Sequence, residues 1–105
     1  MLRITALAAL GELGQATEGP CDIFAKGGTP CVAAHSMTRA LFAAYSGPLY
    51  SLVKMPLNTT KDIGVIAAGG IADAAAHDAF CGAGSACVVN RIYDQSAWQN
   101  HLGLE

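Results

Sequence analysis

The chain has 105 residues, a net charge of −2 and only 13% charged residues, so it is long enough for one domain at most. Lysine and arginine are scattered singly, and the sequence lacks the basic patch that binding to nucleic acid or to an anionic membrane requires. We therefore expect no nucleic-acid partner and no membrane partner. No membrane span, metal or cofactor is predicted either.

Residues 1–18 resemble a secretory signal peptide or leader. Arg3 supplies a positive start, residues 4–10 form a short apolar run, and small residues at 14–16 stand at cleavage spacing. The apolar run is short and Glu12 is charged where such segments normally are not, so a degraded signal or an amphipathic leader is the alternative. With this leader, residues 19–105 form the mature sequence, and we expect a secreted, extracellular protein.

Four cysteines form two short loops, Cys21 to Cys31 and Cys81 to Cys87. Neither spacing is that of a zinc site, which pairs C-x2-4-C with a second such pair or with two histidines. The pattern indicates two local disulfides made in an oxidising compartment. Each is worth about 2–3 kcal/mol in the chain-entropy model.

The first predicted elements alternate with glycine and proline turns. The sequence Gly27-Gly28-Thr29-Pro30 predicts a turn that closes the first cysteine loop. Apolar residues three to four apart predict an amphipathic helix over residues 32–45, ended by Gly47-Pro48. Residues 49–54 are predicted as a strand, residues 56–62 as a loop, and residues 63–66 as a second short strand.

The second half has its own signals. The triplet Asn58-Thr59-Thr60 predicts an N-glycosylation site at Asn58 on an exposed loop. Asp73 is placed to cap a short alanine-rich helical turn that runs to Phe80. Residues 88–93 predict the best strand of the chain, with alternation that puts residues 87, 89, 91 and 93 on one face.

Several motifs in one order carry a family resemblance. They are Gly19-Pro20-Cys21-Asp22-Ile23, residues 29–36 (TPCVAAHS), 38–41 (TRAL), 45–47 (YSG), 68–73 (AGGIAD), 80–81 (FC), 92–96 (IYDQS) and 100–102 (NHL). Together they resemble the amino-terminal part of the catalytic domain of secreted fungal α-L-arabinofuranosidases of the B type. The resemblance implies a mainly β fold, a portion of a concanavalin-like β-sandwich, with one amphipathic helix and a short helical turn. It also implies hydrolysis, with retention, of terminal arabinofuranosyl groups in plant cell-wall arabinoxylan and arabinan.

The resemblance places the family's catalytic acid and nucleophile beyond this stretch, so we predict no catalytic residue here and no activity for the chain alone. Retaining hydrolysis needs two carboxyls about 5 Å apart. The candidate acids are Asp22, Asp62, Asp73, Asp78, Asp94 and Glu105. Most have a structural interpretation: Asp73 is a helix cap, Asp94 a turn residue, Asp22 and Asp62 are loop acids and Glu105 is a chain end.

The sequence offers three further candidates for a functional site. His35 lies four residues after Cys31, but an oxidised sulfur cannot act as a nucleophile. His77 and Asp78 lack a third metal ligand. Trp98 stands where the resembled family has a glycine-rich link, and it is the candidate for sugar contact. A small disulfide-stapled lectin-like module and a secreted structural protein without sugar affinity are the alternative functions.

Overall fold

The computed structural model describes residues 18–84 and 86–103, which form two short helices and a four-stranded antiparallel sheet. In chain order the elements are α1 (Pro20–Lys26), β1 (Pro48–Met55), β2 (Thr59–Gly64), α2 (Ala74–Cys81), β3 (Ala86–Ile92) and β4 (Leu102–Gly103). Except for Glu18, the predicted leader lies outside the described residues, as does Glu105. The mainly β expectation is confirmed. Neither helix is long and apolar enough to cross a membrane.

Strand β1 lies at the centre of the sheet, whose order is β2-β1-β3-β4. It pairs antiparallel with β2 on one side and with β3 on the other. Its residues 49–52 (LYSL) are buried one after another. A strand whose two faces are both buried favours a mostly apolar run, which Ser51 interrupts here, and the prediction of a strand over residues 49–54 is confirmed.

Strand β3 contains a β-bulge at Asn90. Leu52 pairs with Val89 and Ser51 pairs with Arg91, which leaves Asn90 without a partner on β1. An extra residue in one strand reverses the alternation of side chains beyond it. Ile92 therefore shares a face with Val89, and Arg91 lies on the opposite face. The strand is confirmed over most of its length, but the predicted side-chain alternation is wrong past Asn90.

The core lies on the face of the sheet that α2 covers. It is built from Leu49, Tyr50, Leu52, Ile63 and Cys81, all at most 9% exposed. The Lys54 ammonium donates to the Phe80 carbonyl at 2.9 Å and lies 5.4 Å from the Phe80 ring centroid. The polar end of β1 is thus tied to the last turn of α2.

Helix α2 forms as its sequence predicts. The Asp73 carboxylate accepts a hydrogen bond from the Ala76 amide at 3.1 Å, which satisfies one of the free amides of the first turn. Alanine dominates the following residues and has the highest helix propensity. Gly82, with φ of 63°, follows the helix and donates to the Asp78 carbonyl at 2.9 Å.

Residues 32–45 form turns and isolated bridges, and the predicted amphipathic helix is wrong. Backbone amides that a helix would use internally bind partners distant in the sequence instead. The Ala34, Leu41 and Ala43 amides donate to side chains of Asp94, Gln95 and Asp22, and the Ala40 amide donates to the Gly70 carbonyl. These tertiary hydrogen bonds outweigh the modest propensity of the alanine-rich pattern.

A helix that was not predicted, α1, occupies the start of the first cysteine loop. Pro20 stands at its first position, where a missing amide costs nothing. The Asp22 carboxylate accepts from the Gly19 amide at 2.8 Å in a capping-box arrangement. The turn predicted at residues 27–30 follows the helix and leads into Cys31.

Strand β2 begins earlier than predicted. Residues 56–58 make the hairpin turn, with Asn58 in the left-handed region at φ of 57°, and Thr59 already pairs with Lys54. Most of the predicted loop 56–62 is therefore strand, while Val65 makes only an isolated bridge to Ala72. Threonine has high β-propensity, and pairing with the buried β1 extends the strand through a polar sequence.

Candidate functional site

The Asp94 carboxylate lies just after β3 and accepts hydrogen bonds from three backbone amides. The residue is 3% exposed. Oδ1 accepts from the Ala34 amide at 2.8 Å and from the Ser96 amide at 2.9 Å, and Oδ2 accepts from the Asn100 amide at 2.8 Å. One side chain thus joins the 32–41 segment to the turn formed by residues 94–101.

These hydrogen bonds fix Asp94 as an anion. Burial of the carboxyl would by itself raise its pKa, but hydrogen bonds from Ser96, Asn100 and Ala34 outweigh burial and lower the pKa to about 2. A general acid needs the opposite shift, because it must hold its proton near neutral pH. Asp94 therefore organises backbone and does not donate protons.

Neighbouring side chains complete the anchoring of the same turn. Gln95 is buried, its Oε1 accepts from the Leu41 amide at 2.7 Å, and its Nε2 donates to the Arg39 carbonyl at 3.2 Å. His35 Nε2 donates to the Asn100 carbonyl at 2.8 Å. This hydrogen bond gives His35 a structural role. Because Cys31 is disulfide-bonded, the two residues do not form a nucleophile and base.

His101 lies where the turn returns to the sheet. Its Nδ1 accepts from the Asp94 amide at 2.9 Å, and its ring meets Tyr93 edge-on at 5.0 Å between centroids. The Tyr93 hydroxyl in turn donates to Asp62 Oδ1 at 2.8 Å. Burial first, and then the hydrogen bond to Asp62, raise the pKa of Tyr93, so its phenol stays neutral.

Trp98 stands at the tip of this turn with 67% of its surface exposed. Its amide donates to Ser96 Oγ at 3.3 Å, and the Gln99 amide donates to the Ser96 carbonyl at 3.3 Å. Gln99 adopts φ of 52°, a left-handed conformation that favours glycine. The turn therefore forms without glycine and presents the indole to solvent.

A polar cleft of about 300 Å³ opens next to the turn. Its lining consists of Arg91, Gln99, Asn100, His101 and Gly103. The Arg91 guanidinium lies 5.9 Å from the centroid of Tyr93. The side chains of this cleft offer donors and acceptors without a carboxylate, which suits neutral polar ligands better than cations.

A second, more apolar groove of about 500 Å³ runs between α2 and residues 71–74. Met37, Tyr50, Ile71, His77 and Asp78 contribute to its walls. The Tyr50 hydroxyl and His77 Nδ1 are 2.7 Å apart, which engages the histidine in a hydrogen bond. Burial, followed by the charge of Asp78, raises the pKa of Tyr50. Within residues 18–84 and 86–103, no group of three candidate ligands could hold a metal ion.

The remaining predicted site residues have clear positions. Cys21 is bonded to Cys31 and Cys81 to Cys87, with Cα–Cα distances of 5.5 and 5.7 Å, as the spacing predicted. Asn58 is exposed in the β1–β2 hairpin turn, where its side chain is accessible.

Of the other acids, Asp22 and Asp73 hold helix starts, and Asp62 accepts from Tyr93. Backbone hydrogen bonds from Gly19 and then Ala43 lower the pKa of Asp22. Glu18 pairs with Lys26, and Asp78 is exposed on α2.

The sequence did not reveal the roles of Asp94 and Gln95 as anchors of residues 34–41, because the backbone groups that they bind there are more than 50 residues away. One signal was present. A short run of Asp, Gln and Ser directly after a strand offers side chains that can bind backbone amides, as in Asx turns.

The family model described as "Alpha-L-arabinofuranosidase B, catalytic" matches residues 20–105. The probable α-L-arabinofuranosidase B of Aspergillus terreus is 52% identical over 99 residues, covering 94% of this chain and 19% of that protein. The α-L-arabinofuranosidase B of Aspergillus kawachii is 53% identical over 96 residues, covering 91% and 19%.

Solved structures agree with this comparison. An arabinofuranosidase complexed with arabinofuranosyl-α-1,2-xylobiose matches at a TM-score of 0.78 and 55% identity, covering 81% of this chain and 17% of that one. A GH54 α-L-arabinofuranosidase soaked with a cyclic sulfate inhibitor gives the same TM-score and identity, covering 81% and 18%. The chain thus spans about 19% of the curated relatives that it matches.

Proposed function

Because this chain belongs to the family of α-L-arabinofuranosidase B catalytic domains, which are glycoside hydrolases, we propose that it forms the amino-terminal part of such a domain. The domain would release terminal arabinofuranosyl groups, with retention, from arabinose-containing polysaccharides such as arabinoxylan and arabinan. The observation that carries this proposal is the match of residues 20–105 to the catalytic family, together with the structural match at 55% identity.

The four-stranded sheet would be one portion of a concanavalin-like β-sandwich. Exposed apolar side chains support packing against a further part of the domain: Val88 on β3, and Ile23, Phe24 and Val32 outside the sheet, are all at least 50% exposed. Large exposed apolar side chains are typical of surfaces that another part of a protein covers. The edge strand β2 likewise carries backbone groups that a further strand could pair with.

The reacting carboxyls would come from a part of the longer enzyme that lies outside this chain. Retaining hydrolysis requires a nucleophilic carboxylate and a protonated carboxyl about 5 Å apart. The described acids are occupied in helix caps, in the Asp94 anchor, in an ion pair or in a phenol hydrogen bond, apart from Asp78. In this proposal, residues 18–103 supply framework and ligand contact, and the chain alone is inactive.

The compartment is also part of the proposal. Two disulfides within one small sheet domain are typical of secreted proteins. The exposed Asn58 in its sequon is accessible to glycosylation. We propose that the protein is extracellular, with residues 1–18 as the leader. The alternative of a small sugar-binding or structural module is not favoured, because the relatives match as catalytic enzymes.

A graft onto a relative tests this function. Residues 20–103 would replace the matched segment of the Aspergillus kawachii enzyme, and release of 4-nitrophenol from 4-nitrophenyl α-L-arabinofuranoside would be measured. We expect the graft to be active, because the segment supplies an equivalent framework, and the 105-residue chain alone to release none.

The control is a variant of the Aspergillus kawachii enzyme from which the matched segment has been deleted, and this variant should be inactive. Turnover by the purified 105-residue chain would contradict the assignment of the chemistry to another part of the enzyme. A folded graft without activity would contradict the assignment of this chain to the catalytic domain.

A further inference from the structure

We propose that Trp98 and the adjacent cleft of Arg91, Gln99, Asn100 and His101 form a contact site for a neutral pentose chain of the arabinose-substituted xylan type. This inference rests on the proposed function, because that function supplies the class of ligand. Three properties of the turn and cleft carry it: the exposed indole, the rigidity of the turn and the polarity of the cleft.

The exposed indole has the chemistry of a sugar platform. Trp98 is 67% exposed, the highest exposure of any aromatic side chain among the large exposed apolar residues described. Indole offers a broad apolar face and a single N–H donor, so it contacts the C–H face of a sugar ring while a hydroxyl accepts from its edge.

The turn that carries Trp98 is held in place before any ligand arrives. Asp94 binds the amides of Ser96 and Asn100 on either side of Trp98, and Ser96 Oγ accepts from the Trp98 amide. His35 donates to the Asn100 carbonyl from the other segment. Since these contacts fix the backbone, ligand binding loses little conformational entropy at this turn.

The cleft supplies the polar half of the site. Its volume of about 300 Å³ lies at the lower end of the range for small-ligand sites. Guanidinium and amide groups pair well with neighbouring sugar hydroxyls, because they offer several donors and acceptors in fixed geometry. An aromatic platform beside such groups is the arrangement that a carbohydrate needs.

The polarity of the residues around the cleft also argues against its being covered by an apolar part of a protein. Arg91, Gln99, Asn100 and His101 are all exposed. Covering them with apolar side chains would leave their polar groups without partners, at a considerable desolvation cost. A hydroxyl-rich chain satisfies the same groups and still covers the indole.

Fluorescence tests binding directly, because Trp98 is the single tryptophan of the chain. Arabinofuranosyl-α-1,2-xylobiose would be titrated into the 105-residue chain, with folding monitored by far-ultraviolet circular dichroism. We expect a saturable change in emission, with affinity weakened roughly tenfold by Arg91→Ala, as loss of a hydrogen-bonding partner predicts. Leu57→Ala, which removes an exposed apolar side chain at the distant hairpin turn, is the control and should leave the affinity unchanged.

Kinetics in the active graft give a second readout. Trp98→Ala should raise KM for arabinoxylan roughly tenfold and leave KM for 4-nitrophenyl α-L-arabinofuranoside unchanged, since the small substrate does not extend to the platform. Trp98→Phe should recover most of the loss. Equal KM values for arabinoxylan in the Trp98→Ala and unsubstituted grafts would overturn the proposal, as would unchanged emission from a folded chain.

The two proposals fail in different ways. An active graft in which Trp98→Ala has no effect on KM would refute this inference and leave the proposed function standing. An inactive graft, with emission of the 105-residue chain that still responds to the oligosaccharide, would refute the proposed function and leave sugar binding standing.

Discussion

Replacing Asp94 with alanine is expected to lower the free energy of unfolding by about 3 kcal/mol or more. The substitution removes the acceptor for three backbone amides at a residue that is 3% exposed. Each hydrogen bond to a charged group contributes about 1.5–3 kcal/mol, and amides left buried without partners add a desolvation cost. Urea unfolding of the 105-residue chain or of the graft measures the change.

Two variants and a pH series make this prediction specific. Asp94→Asn keeps one acceptor oxygen and should lose less stability than Asp94→Ala, while Asp78→Ala on the exposed side of α2 should change stability by at most about 0.5 kcal/mol.

Because the folded pKa of Asp94, about 2, is below its unfolded value of 3.8, its contribution to stability is complete above pH 4. That contribution should fall as the pH drops from about 4 towards 2, and Asp94→Asn should lack this dependence. An equal loss in the free energy of unfolding for Asp94→Ala and Asp78→Ala would refute the role of Asp94 as an anchor of the backbone.

Removal of the Cys81–Cys87 disulfide by a double change to serine should cost about 2–3 kcal/mol, from the loop entropy returned to the unfolded chain. The bond links the end of α2 to β3, and Cys81 belongs to the buried core. We therefore expect loss of hydrogen-exchange protection at the amides of α2 and at Gly82 directly after it, whose amide donates to the Asp78 carbonyl.

The Cys21–Cys31 disulfide provides the matched control. Its loop is of comparable length, so its removal should cost a similar free energy, but it constrains α1 and is remote from α2 in the sequence. Protection in α2 should survive that change. If both double variants lose α2 protection to the same extent, the local role of the Cys81–Cys87 bond is wrong.

Sequence reasoning succeeded where local signals and tertiary structure agree. The apolar run of β1, the Asp73 cap of α2 and the two cysteine loops each depend on neighbours within a few residues. The same reasoning failed over residues 32–45, where alanine spacing suggested a helix but distant acceptors bind the amides. Periodicity reports local preference and does not include a competing carboxylate 60 residues further along the chain.

In the candidate site, too, the sequence singled out one residue but could not predict its surroundings. Trp98 stood out in the sequence because it occupies a link that is glycine-rich in the resembled family, and the structure places it exposed at the tip of the turn. The polar cleft beside it could not be predicted, because a bulge at Asn90 reverses the face on which Arg91 lies. Bulges depend on how two strands fit together and leave little trace in the sequence of either.

The central claim of the proposed function is that the described acids of this chain do not react with the substrate and that the reacting carboxyls belong elsewhere in the enzyme. The most direct measurement is kcat on 4-nitrophenyl α-L-arabinofuranoside for the graft carrying both Asp62→Asn and Asp78→Asn. Within the grafted residues 20–103, these are the described acids that hold no helix start and no backbone amide. We predict kcat within about threefold of the unsubstituted graft, because neither carboxyl would touch the reacting atoms. A folded double variant that loses roughly 10⁴-fold in kcat, as removal of a catalytic group does, would contradict the account.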